Sequence, residues 1–478
     1  MGIPARITPS GEEPNSYKEL VAEIVQLRQL LEANTAELRE LNERLSQRDA
    51  RITELERLLS ELRRSGKRQA APFSKGDPKE EPAKPGRRSG KAHGRHGHRM
   101  APVGPPDREI EVALPSSCPD CGGELEIERV AEQFQVDLPP MRPVTTKFQV
   151  PVAYCTCCGK RVQGRHAEQA SDALGAASSQ VGPVAKAWAA WLHYGLGLSF
   201  QKTARLLDRL GINVTAGALS QAAQSTSSDL VPVQNSIVKA VNDSEMIVPD
   251  ESGWRVGGEG AWLWAVATAK ATCYFVADGR GYEEACEVIS PEYSGVMVHD
   301  GWAPYRSFKN ATHQTCLAHL LRRCDELITD LPASARSTPQ RVRGILLEAL
   351  DARDLSKEER RVVVADLAEH VEILADDAQP HDENRKLVKH LYAEKEALFT
   401  FLTYDGVDAT NWRAEQAIRP AVVNRKVWGG NRTWRGAATQ GRMMSLIRTA
   451  AQQNLDVIEF LTRLARAPTL AGVPPLFA

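Results

Sequence analysis

Three carboxylates stand where acid side chains are suited to hold metal ions. Asp250 closes the apolar run SEMIVP, Asp300 closes SGVMVH, and Glu415 lies in NWRAEQAIRP. An aspartate at the point where a hydrophobic strand gives way to a loop makes a good hard-cation ligand, because the core orients it and the loop admits substrate. Glu415 is the single acid in a stretch that carries Arg413, Arg419, Arg425, Lys426, Arg432, Arg435, Arg442 and Arg448. An isolated acid among so many bases suits a metal ligand in a groove that binds phosphates, and the bases from Arg413 to Arg442 are candidates for DNA contacts. The plainer role for Glu415 is an i,i+4 ion pair with Arg419, worth a few tenths of a kcal/mol. Each carboxylate alone reads as structural; together, in this order, they point to two divalent ions, Mg2+ or Mn2+, about 4 Å apart. Such a pair activates a water or a 3′-hydroxyl and stabilises the leaving oxygen of an in-line displacement. Asp250 would bridge both ions, with Asp300 and Glu415 each completing one side. Glu251 is the alternative first ligand, since neighbours on a strand face opposite ways and only one can enter the site. Trp428, Trp434 and the glycines of WGGNRTWRG are placed to approach a displaced base or backbone.

The cysteines carry a second chemistry. Nine are present, an odd number, and four fall in two C-x-x-C pairs each followed by Gly: Cys118 and Cys121 in CPDCGG, Cys155 and Cys158 in CTCCGK. Two thiolates at a tight turn, with Gly supplying a positive φ, form half of a tetrahedral zinc site, and two such turns complete it. A redox C-x-x-C would not need a second pair. Cys157 is expected to stand aside, with a swap for Cys155 left open. QFQVDLP and TTKFQVPVAYC between the pairs read as strands, giving a small zinc ribbon. Cys316 and His319 in HQTCLAHLLRR have C-x-x-H spacing, with only Cys324 and His313 nearby to complete a metal site; a packed cysteine beside a hydrogen-bonded histidine is the simpler reading.

The elements that position these groups are legible in part. The chain of 478 residues is too long for one ordinary domain, and its 42% hydrophobic and 25% charged residues are those of a globular protein. No apolar run of about 18 residues exists to span a membrane, and the N-terminus lacks a secretory signal, so a cytoplasmic location is expected. The net charge of -1 hides a segregated distribution, with bases gathered in two stretches. Residues 1–16 read as a disordered tail. Over 17–64, Leu20, Ile24, Leu27, Leu31, Leu38, Leu41, Leu45, Ile52, Leu55, Leu59 and Leu62 share one a/d seam, with Asn34 and Arg48 in its remaining positions. That predicts a left-handed leucine-zipper coiled coil and a homo-oligomer, against the alternative of one helix folded back on its own chain. Residues 65–108, rich in Pro, Gly, Lys, Arg and His, read as a disordered basic linker able to hold DNA non-specifically. The zinc-binding domain follows at 109–168.

Residues 175–241 read as a helical domain capped in part by Thr215, compatible with a helix-turn-helix that binds DNA and equally with a plain bundle. From 242 to 455 three strands, a helix and a fourth strand match the first half of a ribonuclease-H-like sheet. The catalytic domain is interrupted over about 318–404 by a helical insertion of about 85 residues, long beside ordinary loops. ATNWRAEQAIRP reads as a helix capped near Thr410, and 456–478 as a C-terminal tail. The expected fold is therefore a multidomain α/β protein: a ribonuclease-H-like core with a helical insertion, preceded by coiled coil, zinc ribbon and helical DNA-binding domain.

VPDESGW, HDGWAPY, HQTCLAHLLRR and NWRAEQAIRP, in this order, resemble the transposases of the insertion-sequence-66 family. The zipper, basic linker and C-x-x-C pairs resemble that family's layout too, so the likeness covers nearly all of the chain after residue 17. The resemblance implies an aspartate-aspartate-glutamate triad of Asp250, Asp300 and Glu415, with a mobile element's terminal inverted repeats as substrate. It admits accessory proteins of the same element as further partners. One departure is Trp412, where the family commonly has a second Asn. The competing functions are a ribonuclease-H-like nuclease without strand transfer, which has no need to pair two sites, and a DNA-binding repressor or structural protein with a decayed site.

Overall fold

A computed structural model describes residues 102–169, 171–174, 180–466 and 475–477, with scattered positions between 24 and 48. The chain divides into two units, residues 1–136 and 137–478. In the first, the described positions of the expected zipper are helical, and the seam residues Ile24, Leu27, Leu31 and Leu45 are exposed. The other apolar seam residues, the 1–16 tail and residues 65–101 of the basic linker lie outside the described residues. No described helix is long and apolar enough to cross a membrane.

The second unit opens with a two-stranded antiparallel ribbon, β1 (Val152–Tyr154) and β2 (Arg161–Gln163). QFQVDLP, expected as a strand, forms none. Four helices follow: α1 (Pro183–Ala190), α2 (Phe200–Arg209), α3 (Ala216–Asp229) and α4 (Val231–Asn242). A π-helical turn over Trp191–Gly195 extends α1. The Thr215 hydroxyl accepts from the Ala218 N–H at 3.1 Å and so caps α3, as the sequence predicts.

The central sheet has five strands: β3 (Met246–Val256), β4 (Glu259–Ala267), β5 (Thr272–Ala277), β6 (Val296–His299) and β7 (Thr312–Thr315). Their order is β5-β4-β3-β6-β7. The first three run antiparallel; β6 is parallel to β3, and β7 to β6. The one-turn helix α5 (Tyr282–Ala285) comes between β5 and β6. This mixed sheet is consistent with a ribonuclease-H-like core. The fifth strand was not expected: THQT is four polar residues, and its two β-branched threonines are too short a signal to announce a strand that is held by pairing with β6.

After β7 the chain leaves the sheet for α6 (Leu317–Asp330), α7 (Ser337–Asp351), α8 (Lys357–Asp376), α9 (Asp382–Ala393) and the short α10 (Thr400–Thr403). These helices bury their own core, including Leu320, Leu346, Leu367, Leu374, Leu387 and Phe401, separate from that of the sheet. The chain then returns through α11 (Trp412–Trp428), α12 (Trp434–Gln452) and α13 (Val457–Arg466). α13 lies in the segment expected as a tail, and its buried Phe460, Leu461 and Leu464 join the sheet core. So do Ala187, Tyr194, Ala223 and Ile237 of the upstream helices. A strand edge exposes unpaired peptide groups, and α12 covers that of β5. Its Ser445 hydroxyl accepts from the Tyr274 N–H at 2.7 Å, and Thr449 from the Thr272 N–H at 3.1 Å. Gly441 permits the approach: a Cβ there would stand 2.8 Å from the Tyr274 carbonyl oxygen.

Candidate functional site

The strands bring the two aspartates together by register. Met246 lies opposite Val296 and Ile247 opposite Met297. That offset of fifty residues also separates Asp250 from Asp300. Side chains two apart share a strand face, so Val248 shares one with Asp250 and Val298 one with Asp300. Both valines are buried against Ala414 of α11. Glu415, the next residue, is thereby carried to the carboxylate face. Asp300 follows the last residue of β6 as expected, whereas Asp250 sits inside β3, which continues to Val256 by pairing with β4. α11 starts at Trp412 with Asn411 as its N-cap residue, one place later than expected.

Electrostatics report the same convergence. Burial foremost, with the charges of Glu251, Asp300 and Glu415 acting in the same direction against the opposing Glu251 N–H, raises the Asp250 carboxyl to about 7. Among the described residues, no three acidic, histidine or cysteine side chains are close enough to grip one ion directly; the carboxylates converge at the range of electrostatic influence. Hard oxygen donors raised in proton affinity by their neighbours fit a divalent cation of the magnesium or manganese kind.

Glu251 is committed elsewhere. Its side chain is 1% exposed and accepts from Arg280 Nε at 2.7 Å and from the Tyr305 hydroxyl at 2.6 Å. Arg280 is itself stacked between Trp262 and Trp302. Of the two adjacent acids, Asp250 is the one left to the site. Its partner Asp300 accepts from the Trp302 N–H at 2.9 Å.

Beneath Asp300 lies a buried polar chain. The Gly301 N–H donates to His299 Nδ1 at 3.0 Å, His299 Nε2 meets His313 Nδ1 at 3.1 Å, and His313 Nε2 meets the Phe308 carbonyl at 2.9 Å. One tautomer of each ring satisfies all three contacts with both histidines neutral. Burial depresses His299 to about 3 and lowers His313 as well. Glu394, just past α9, accepts from Arg306 at 2.6 Å and from the Thr315 hydroxyl at 2.5 Å. The insertion therefore braces the segment after Asp300. No sequence signal marked Glu394, since the contact joins residues 88 apart.

The basic stretch divides by exposure. Arg419, Lys426, Arg432 and Arg435 are exposed; Arg413, Arg425 and Arg442 are half-buried. Arg413 lies over the Trp412 ring, and Arg442 reaches the carbonyl and hydroxyl oxygens of Ser227 at 3.4 Å. Arg425 reaches the Ser252 hydroxyl at 3.4 Å, and burial lowers its guanidinium pKa. WGGNR serves a structural purpose. Gly430, at φ 120°, packs against the Arg255 backbone, and Asn431 accepts from Trp254 Nε1 at 2.7 Å. Trp428 stacks on His193 at 4.2 Å, leaving Trp434 as the exposed tryptophan of this segment.

Each C-x-x-C forms the tight turn its glycine predicts. The Gly122 N–H donates to the Cys118 carbonyl at 2.9 Å with φ 72° at Gly122, and the Gly159 N–H to the Cys155 carbonyl at 2.9 Å with φ 68° at Gly159. Backbone N–H groups, those of Cys121 and Cys158 foremost, lower the thiols of Cys118 and Cys155 respectively. In HQTCLAHLLRR, Cys316 is buried as expected; burial raises its thiol against the N–H groups of Asn411, His319 and Ala318. His319 departs from expectation. Its Nδ1 is buried without a partner, and its Nε2 stands 3.7 Å from Glu415 Oε1.

A mixed sheet thus carries the coupled aspartates on its central strands, and the helix that returns to it bears Glu415 together with exposed bases. The particular family follows from sequence comparison: the chain belongs to the Transposase IS66 family, whose profile matches residues 178–439. A second profile, the zinc-finger binding domain of transposase IS66, matches residues 115–159 and so includes all four paired cysteines. No curated protein matches the chain.

Proposed function

We propose that this protein is an aspartate-aspartate-glutamate transposase that binds the terminal inverted repeats of its own insertion sequence, cuts at their ends and joins them to target DNA. The observation that carries the reading is the electrostatic coupling of Asp250 to both Asp300 and Glu415, three acids from distant parts of the chain. Membership of the transposase family supports it independently. Asp250, Asp300 and Glu415 would hold the divalent ions, Mg2+ or Mn2+. Bound there, the ions would favour ionisation of a water or 3′-hydroxyl and neutralise charge on the leaving oxygen.

The chain's own residues supply the rest. The exposed Arg419, Lys426, Arg432 and Arg435 lie on the segment that carries Glu415 and offer charge to the phosphate backbone, with Arg413, Arg425 and Arg442 behind them. Cys118, Cys121, Cys155 and Cys158 would hold a structural zinc ion, as the match to a zinc-finger profile supports. The 17–64 seam would join copies of the chain, because two element ends must be brought together. A cytoplasmic site of action on DNA, with or without accessory proteins of the same element, fits this role.

The test is cleavage and joining of a DNA fragment carrying the element's ends, in Mg2+, by wild type and Asp250→Ala. Breakage at the repeat termini that falls at least a thousandfold in the variant is expected, the scale on which loss of an essential charge-stabilising group is felt. Firm binding without breakage by wild type would favour a DNA-binding repressor instead.

A further inference from the structure

We propose that His319 is a further ligand on the Glu415 side of the metal site, held in orientation by Asn411, and that it biases the site toward Mn2+ over Mg2+. The inference deepens the metal-dependent reading and rests on it. His319 lies in the first turn of α6 and Glu415 in the first turn of α11. Backbone contacts tie these two helix starts together. The Leu317 N–H donates to the Ala409 carbonyl at 2.9 Å, and the Cys316 thiol is ringed by the N–H groups of Asn411, His319 and Ala318.

The separation of His319 Nε2 from Glu415 Oε1, 3.7 Å, is too long for a hydrogen bond. Two ligands about 2.1–2.2 Å from one cation stand roughly 3.0–3.6 Å apart for angles of about 90–110°. A small side-chain rotation therefore brings this pair to the spacing of co-ligands.

The second, independent observation is an excess of unpaired buried polar atoms on two of the residues whose N–H groups face that sulfur. Asn411 is 1% exposed, and both its Oδ1 and Nδ2 lack partners; so does His319 Nδ1. Burying such groups is costly unless something pairs them. A metal-bound histidine characteristically donates its other ring N–H to a carbonyl or a water. The Asn411 amide oxygen is an unpaired acceptor of that kind, and it would meet His319 Nδ1 once metal binding turns the ring, a role that accounts for an otherwise wasteful buried amide. Imidazole nitrogen is a poor ligand for Mg2+ and a better one for transition metals, which is the source of the Mn2+ bias.

The decisive measurement is electron spin echo modulation of Mn2+ added to the full-length protein. Imidazole nitrogen modulation is expected in wild type, lost in His319→Gln and retained at reduced occupancy in Asn411→Ala. Titration should show Mn2+ affinity falling roughly 10–100-fold in His319→Gln, and Mg2+ affinity changing less than about threefold. Mn2+ bound without nitrogen modulation, yet lost in Asp250→Ala, would overturn the His319 assignment and leave the carboxylate site standing. No Mn2+ bound by wild type would overturn both. The wild-type spectrum needs no variant to fold, so the assignment stays exposed to refutation.

Discussion

At the scale of residues, Asp250 is held at an energetic disadvantage that pH can reveal. An aspartate in the unfolded chain ionises near its ordinary 3.8, whereas folding pushes Asp250 up to about 7. Between those values the folded protein keeps a proton that the unfolded chain has released. The stability associated with that proton is therefore fully present below the lower value and is lost as pH rises through the upper one. Without added divalent ion, Asp250→Asn should match wild type in Tm only below the ordinary 3.8, and exceed it by a margin that grows with pH to roughly 3–8 °C at pH 8.5. Adding Mn2+ should raise wild type and leave the variant almost unmoved. Parallel Tm curves across this range would show that Asp250 does not carry the burden assigned to it. The candidate acids were legible in the sequence because each stands out by local context: two end apolar runs and one is isolated among arginines. Choosing Asp250 over Glu251 was not, because alternation says that they face opposite sides and leaves open which side is the site. The buried pair of Glu251 with Arg280 supports Asp250 by committing its neighbour elsewhere.

At the scale of elements, the insertion and the sheet meet where Glu394 grips Arg306 and Thr315. Glu394→Gln keeps the shape but removes the charge, leaving Arg306 facing a neutral amide. Breaking a buried pair typically costs about 3–5 kcal/mol. With the Arg306 side chain 36% exposed, water recovers part of that, so about 2 kcal/mol is expected after screening. Denaturant unfolding measures the loss, and DNA cleavage should fall with it, because the same contact braces the segment after Asp300. A variant with full stability and full cleavage would reduce the contact to decoration. Helices, with their 3.6-residue periodicity and caps such as that at Thr215, were readable from local sequence. β7 and the Glu394 brace were not, since both depend on partners that only the folded chain supplies. α13 escaped for another reason: ten residues near the chain's end look like a tail until their apolar face has a core to meet.

At the scale of the whole molecule, one chain carries one set of Asp250, Asp300 and Glu415, while joining two element ends calls for at least two. The seam at 17–64 is the part of the sequence suited to supply the second copy. Of its eleven apolar members, the described Ile24, Leu27, Leu31 and Leu45 are about half to two-thirds exposed. Burying such side chains is worth about 1.5–3 kcal/mol each, so a solitary chain that displays a heptad stripe of them has a strong drive to cover it. A second copy provides the matching surface, and Asn34 at one seam position offers a polar contact that fixes register. Light scattering of the full chain should therefore give a multiple of the chain mass, and a protein starting at residue 65 should fall to a lower multiple. Cleavage within a single element end should survive that truncation better than joining of two ends, because one chain supplies all three proposed metal ligands. If the truncated protein keeps the full-length mass, copies meet through the catalytic unit, and the seam packs against its own chain.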